Sequence, residues 1–357
     1  MATMARGRWP HVAWCLAAVL GAGSATANER NLTANDVKGL MFFRDALITA
    51  IYESWPGQND GSQWPPNSNA KSMCGKRRMD NAVGLMGQAM AEGTAGDFIE
   101  TGVWRGGLSF LVAKQLELAD SSRTVYLCDS FEGIPKASKA HNTGPDKDAH
   151  THEILNDNSL ERVQDSAKRF RVDPARVEFV QGYFDKTLPA LMGDRPDLRF
   201  AVVRLDGDTF DSTWAAISAL YPRLEPGGFL IVDDYTDWVT CREAIDKYRA
   251  DHGIVEPMFL VSHRLHEETR GIYWRKAGGK PATSGDTMCP AAWTTNLSPT
   301  FLATHRHAKL VAAPGDEIRA PQGHNFIRLG EKKSAAPLYI CDHAGLTKGS
   351  LPALAGE

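Results

Sequence analysis

Apolar and polar positions alternate along this chain in two registers. Leu40, Phe43, Leu47 and Ile51 recur at helical spacing and predict a helix over residues 34–52. A second helix is expected over residues 78–92. From residue 97 the pattern changes to short, continuous apolar runs separated by helical stretches, which is how buried parallel strands with crossover helices read. Strands are expected at residues 97–100, 124–129, 177–181, 200–205 and 229–232, and helices at 108–117 and 160–170. Ser212 is expected to cap the helix between the last two strands. Residues 258–261 and 271–274 suggest a closing antiparallel pair. The expected fold is α/β, a doubly wound and mostly parallel sheet of Rossmann-like type, with a helical N-terminal lid region and a C-terminal extension.

Four segments follow from this pattern: residues 1–27, 28–94, 95–276 and 277–357. The first carries Arg6 and Arg8, an apolar stretch at 12–22, then Ala25-Thr26-Ala27, the shape of a signal peptide. It is too short for a transmembrane anchor. It points to the secretory pathway or an organelle, and without cleavage to the cytoplasm. The sequons at Asn31 and Asn296 fit export but arise often by chance. Residues 55–69, rich in Pro, Gly, Asn and Ser with two tryptophans, read either as a loop that closes over a site or as a plain surface loop. The last segment reads as a small β-rich appendage or as disordered chain.

Composition narrows the partners. The 357 residues are 43% hydrophobic with a formal net charge of −3. No basic stripe dominates, so nucleic acid is not expected. The six cysteines, Cys15, Cys74, Cys128, Cys241, Cys289 and Cys341, show no metal-ligand spacing, and Cys289 and Cys341 are candidates to pair in an exported chain. His150, His152, His263 and His266 are dispersed and read as solvated loop residues.

The chemistry sits at two acidic strand ends, Asp206-Gly207-Asp208 and Asp233-Asp234-Tyr235. Open α/β sheets bind ligands outside the carboxyl ends of their strands, so these four carboxylates form either a hard-metal site or a proton-transfer site. A divalent cation is the simplest way to hold so much negative charge together. A third feature is the turn Gly102-Val-Trp-Arg-Gly106-Gly107 after the first strand. Its glycines let the backbone approach a ligand, and Asp129 at the neighbouring strand end can accept ribose hydroxyls. A nucleoside ligand is indicated. No Gly-Lys-Ser/Thr follows, which excludes a P-loop, and the spacing departs from GxGxxG.

Glu100-Thr-Gly-Val-Trp-Arg-Gly-Gly107, Asp129-Ser-Phe-Glu-Gly-Ile-Pro135, Arg204-Leu-Asp-Gly-Asp208, Leu220-Tyr-Pro-Arg-Leu-Glu-Pro-Gly-Gly228 and Val232-Asp-Asp-Tyr235 together resemble the successive motifs of the macrocin O-methyltransferase (TylF-type) family. The likeness extends over about residues 72–276, including Arg78-Met-Asp-Asn81, Cys241-Arg-Glu-Ala-Ile-Asp246 and Tyr273-Trp-Arg275. It implies a class I, S-adenosylmethionine-dependent and Mg²⁺-dependent sugar O-methyltransferase, often oligomeric, that acts on natural-product glycosides. By position, Asp206, Asp233 and Asp234 match the family's metal ligands and Asp208 its proposed general base. Glu100, Thr101, Gly102, Gly106, Asp129 and Ser130 then face the methionine and ribose of the donor, and Gly182 and Phe184 its adenine. Met73 and the Arg78 region would close over the donor by family position. The acceptor is a hydroxylated small molecule, a glycoside or another vicinal diol. Two other classes remain to be separated: a metal-dependent hydrolase built on the aspartates, and a catalytically silent binding protein of the same fold.

Overall fold

The computed structural model describes residues 29–30, 32–52, 71–74, 76–151, 158–236, 238–261, 271–278, 308–310, 325–329 and 338–342. The leader, the loop at 55–69, both sequon asparagines, Cys15, Cys289, His152, His263 and His266 lie outside the described residues.

Helices α1 (Ala34–Tyr52) and α2 (Lys76–Ala91) precede the sheet. The core then runs β1 (Asp97–Thr101), α3 (Gly107–Leu118), β2 (Val125–Asp129), α4 (Leu160–Arg169), β3 (Val177–Gln181), α5 (Phe184–Asp194), β4 (Phe200–Leu205), α6 (Phe210–Leu220), β5 (Leu224–Val232), α7 (Val239–Asp251), β6 (Met258–Leu260) and β7 (Ile272–Arg275). Three tail strands, β8 (Ala308–Leu310), β9 (Asn325–Leu329) and β10 (Leu338–Asp342), follow.

The strand order is β3-β2-β1-β4-β5-β7-β6, continued by β10-β9-β8 along the edge of β6. β1 to β5 pair in parallel, and β7 runs antiparallel to both β5 and β6. Strand alternation sends side chains to opposite faces, and each face is sealed by its own helices. Phe98, Leu127 and Val202 pack with α1 to α4, whereas Ile99, Val203 and Leu230 pack with Leu188, Ile217 and Ile245 of α5, α6 and α7. The order reverses between β1 and β4. That switch point opens a crevice at the carboxyl ends of β1, β2 and β4.

Three local expectations change. Helix α5 was not legible, because Pro189 and Gly193 interrupt its pattern. β5 is longer than residues 229–232: it starts at Leu224 and passes through Pro226-Gly227-Gly228, with a register shift against β4 between Phe200 and Val202. Ser212 does not cap α6. Thr209 holds the capping position and its Oγ1 accepts from the Ser212 amide at 3.4 Å. No helix of the described residues is long and apolar enough to cross a membrane.

Candidate active site

Within the apolar run of β4 one cation, Arg204, is turned inward, with only 1% of its side chain exposed. A guanidinium so enclosed needs partners on every side. Its Nη1 donates to Glu100 Oε1 and to Asp206 Oδ2, each at 2.6 Å. Its Nη2 donates to Asp233 Oδ1 and meets Cys74 Sγ at 2.9 Å. Arg78 on α2 reaches the other oxygen of Asp233 and the Met73 carbonyl, the latter at 3.0 Å. Ser109, in the first turn of α3, donates to Glu100. One buried network therefore ties α2, α3, β1, β4 and β5 together behind the crevice.

Burial pushes the Glu100 carboxyl up to about 7 against the pull of Arg204. It also pushes the Cys74 thiol up to about 12, so the thiol stays protonated near neutrality. Burial opposes the charge on Arg204, yet Asp206, Asp233, Cys74 and Glu100 together hold its pKa well above the ordinary value.

Asp208 follows β4 in the left-handed region, at φ 55. A short polar side chain tolerates that conformation. The Asp208 amide donates to Asp234 Oδ2 at 3.2 Å. Burial, followed by the charges of Asp208, Asp206 and Asp233, drives the Asp234 carboxyl well above the usual range, and burial also raises Asp206. Asp206, Asp208, Asp233 and Asp234 gather hard oxygen donors of the kind Mg²⁺ takes, and a bound cation would offset the burial that favours protons on Asp206 and Asp234. The site thus fits a divalent cation in charge and donor type. The protein nonetheless supplies part of the neutralisation itself, and a cation at Asp233 would share that carboxylate with two arginines.

Beside Asp206, at the end of β1, Gly102 sits at φ 87, where a Cβ would come within 1.5 Å of the Asp206 carbonyl oxygen. Only glycine lets β1 turn this close to β4. Asp129 stitches the turn to β2: its Oδ2 accepts from the amides of Val103 at 2.8 Å and Trp104 at 3.0 Å, and its Oδ1 from the Phe131 amide at 2.8 Å. Burial raises its pKa while these amides lower it.

Between these clusters lies a cavity of about 570 Å³, a size suited to a nucleoside-bearing ligand. Gly102, Asp129, Ser130, Phe184, Asp206 and Asp208 come together on its wall. Glu100, Thr101, Gly106, Gly182, Asp233 and Asp234 are not among its lining residues. Glu100 is closed off by Arg204 and Ser109, and Thr101 is wholly buried. Gly106 turns at φ 87 against the Phe110 ring to start α3, and Gly182 gives its amide to the Asp129 carbonyl at 2.9 Å. These residues shape the wall from behind.

Sequence reasoning missed Trp104, left-handed at φ 49, and Asn158, both on the wall. It also missed Arg204 as the hub, although a lone cation inside an apolar run was a readable signal. Cys74 approaches Asp206 and Asp233 across more than a hundred residues of chain, and nothing in its spacing foretold that. The segment after β2 closes the far end. Ser138 donates to Asp211 on α6 through its amide at 2.7 Å, and His141 Nδ1 lies 2.7 Å from the same carboxylate. Buried Asp146 accepts from the Phe210 amide at 2.9 Å and from Trp238 Nε1 at 2.7 Å. His150 is half-buried in a short turn off the cavity.

The chain is similar to known proteins. The pattern of the macrocin-O-methyltransferase (TylF) family matches residues 36–276. An 8-demethyl-8-(2,3-dimethoxy-alpha-L-rhamnosyl)-tetracenomycin-C 4'-O-methyltransferase of Streptomyces olivaceus is 36% identical over 275 residues, covering 74% of this chain and 99% of that protein. A mycinamicin III 3''-O-methyltransferase of Micromonospora griseorubida is 35% identical over 65% of this chain and 87% of its own length. The solved structure of the O-methyltransferase NovP superposes with a TM-score of 0.60 at 32% identity, covering 68% of this chain and all of that one.

Proposed function

The chain belongs to the macrocin O-methyltransferase family and is an S-adenosylmethionine-dependent O-methyltransferase, and from that premise we propose that it methylates one hydroxyl of a vicinal diol on a glycosylated small molecule, with Mg²⁺ at the acidic strand ends. The observation that carries the reading is that one cavity is lined by Asp206, Asp208 and Asp129 alike. A relative named for a rhamnosyl substrate supports a sugar hydroxyl as acceptor.

In this reading the adenosine end of the donor lies along Asp129, Ser130 and Phe184, and its methionine end along the Gly102 turn. Asp206, Asp233 and Asp234 would hold the metal. When bound, Mg²⁺ supplies a lowered hydroxyl pKa and a fixed diol orientation. Asp208 accepts the hydroxyl proton as the oxygen attacks the sulfonium methyl; S-adenosylhomocysteine leaves with both electrons of the broken S–C bond. Arg204 and Arg78 hold the Asp233 carboxylate in place. A hydrolase would have no use for the nucleoside wall, and a silent binding protein none for a base held at φ 55.

The test is methyl transfer from methyl-labelled S-adenosylmethionine to a panel of rhamnosides and related glycosides with free vicinal diols, read by mass spectrometry with Mg²⁺ and with EDTA. One added methyl, dependent on Mg²⁺, is the expected result. Equal transfer in EDTA removes the metal. Transfer to no member of the panel by protein that binds the donor removes the acceptor class.

A further inference from the structure

Asp129 already has as many hydrogen bonds as a carboxylate can comfortably accept, about four. Oδ2 carries the amides of Val103 and Trp104, and Oδ1 carries the Phe131 amide at 2.8 Å and Asn158 Nδ2 at 3.2 Å. Ser130 Oγ also lies 3.4 Å from Oδ1, but it approaches the Gly133 carbonyl at 2.6 Å and commits its single hydrogen there. Three of the four donors are backbone amides. Trp104 at φ 49 and Phe131 at φ 56 are locked in left-handed turns, so these amides cannot move without unmaking the turns themselves. The fourth donor is a side chain, and its bond is the longest of the four.

Asn158 is 2% exposed, lies on the cavity wall, and holds its carboxamide oxygen buried without a hydrogen-bond partner among the described residues. Buried polar atoms are nearly always satisfied, and an exception on the wall of a ligand cavity is placed to accept from a ligand. A ribose offers two adjacent hydroxyls, each of which both donates and accepts. One hydroxyl can take over the Asn158 position on Asp129 Oδ1 while its neighbour donates to the carboxamide oxygen, and the displaced Nδ2 donates to the oxygen of the first hydroxyl, so that each group keeps a partner.

Resting on the reading that Asp129 faces the donor's ribose, we propose that Asn158 is a donor-binding residue that exchanges places with the ligand: its amide yields Asp129 Oδ1 to one ribose hydroxyl, and its carboxamide oxygen accepts from the other. Asn158 thereby reads the ribose diol. It does not simply brace Asp129.

Calorimetry on the full chain tests this, with S-adenosylhomocysteine and its 2′-deoxy and 3′-deoxy analogues as probes, on wild type, Asn158→Ala and Asn158→Ser. Ligand-free melting identifies which variant is folded, and the serine variant serves if the alanine one is not. The expected result is a loss of about tenfold for S-adenosylhomocysteine and of less than about threefold for at least one deoxy analogue, because the interaction deleted in the protein is already missing from that ligand. Equal losses for all three ligands overturn the proposal and make Asn158 a support for Asp129. Unchanged affinity for S-adenosylhomocysteine overturns it too. Wild type that binds none of the three overturns the placement of the donor itself, which separates failure of the premise from failure of the inference.

Discussion

Arg204 and Glu100 face each other across β4 and β1, Nη1 to Oε1 at 2.6 Å, with 1% and 2% of their side chains exposed. Such a pair adds little beyond what an apolar pair would, but removing one partner strands the other. Arg204→Met strands Glu100 and half of Asp233 at once. A loss of about 3–5 kcal/mol in urea unfolding is expected. Arg204→Lys should recover only a small part, since an ammonium cannot span Glu100, Asp206, Asp233 and Cys74 as the planar fork does. A loss below about 1 kcal/mol for Arg204→Met would show that the network relaxes around the gap.

Glu100 also sets a pH dependence. Its folded pKa of about 7 lies above the ordinary 4.5, so between those values the folded protein holds a proton that the unfolded chain has released. Stability therefore falls as pH rises from about 4.5 to about 7, by an amount on the order of 3 kcal/mol, and levels off above. Glu100→Gln removes this slope. The stability difference between wild type and variant, measured by denaturation in EDTA at intervals across that range, should decline with pH; a constant difference would mean that Glu100 stays ionised when buried.

Two glycines separate close approach from mere flexibility. Gly102→Ala places a methyl 1.5 Å from the Asp206 carbonyl oxygen at a φ of 87, so β1 and β4 must part. Donor binding should be lost, with several kcal/mol of stability. Gly193 in α5 has open space around its Cβ position. Gly193→Ala should stabilise by about 0.5–1 kcal/mol with donor affinity unchanged. A calorimetric titration with S-adenosylhomocysteine and a thermal melt on both variants decide it, and similar behaviour of the two would discredit the steric argument.

Much of this molecule was legible because its signals are local. Continuous apolar runs fixed β1 to β5, and acidic residues just past β4 and β5 marked the end of the sheet where ligands bind. What was not legible depends on pairing. Asp129 reads as an acceptor waiting for a ribose, and only the fold shows that Val103, Trp104, Phe131 and Asn158 have already filled it. The aspartate cluster reads as charge that needs a cation, and only the fold brings Arg78 from α2 onto Asp233. Helix α5 hid behind Pro189, a breaker by propensity that tertiary packing overrides.

Asp208 separates catalysis from binding most cleanly. It lies on the cavity wall, its φ of 55 suits asparagine as well as aspartate, and its amide contact with Asp234 is made by the backbone, so Asp208→Asn preserves the geometry while removing the basic oxygen. Affinity for S-adenosylhomocysteine should stay within about twofold of wild type, because the donor end of the cavity is untouched. Turnover on whichever glycoside the wild type methylates should fall by about 10²–10⁴, the usual worth of a positioned general base. Asp208→Ala is the less informative variant, since alanine resists a left-handed φ and would confound strain with lost basicity. Retention of wild-type turnover by Asp208→Asn, with the donor still bound, would move the proton acceptor elsewhere in the cluster, with Asp234, whose carboxyl is held well above its usual range, the next residue to replace.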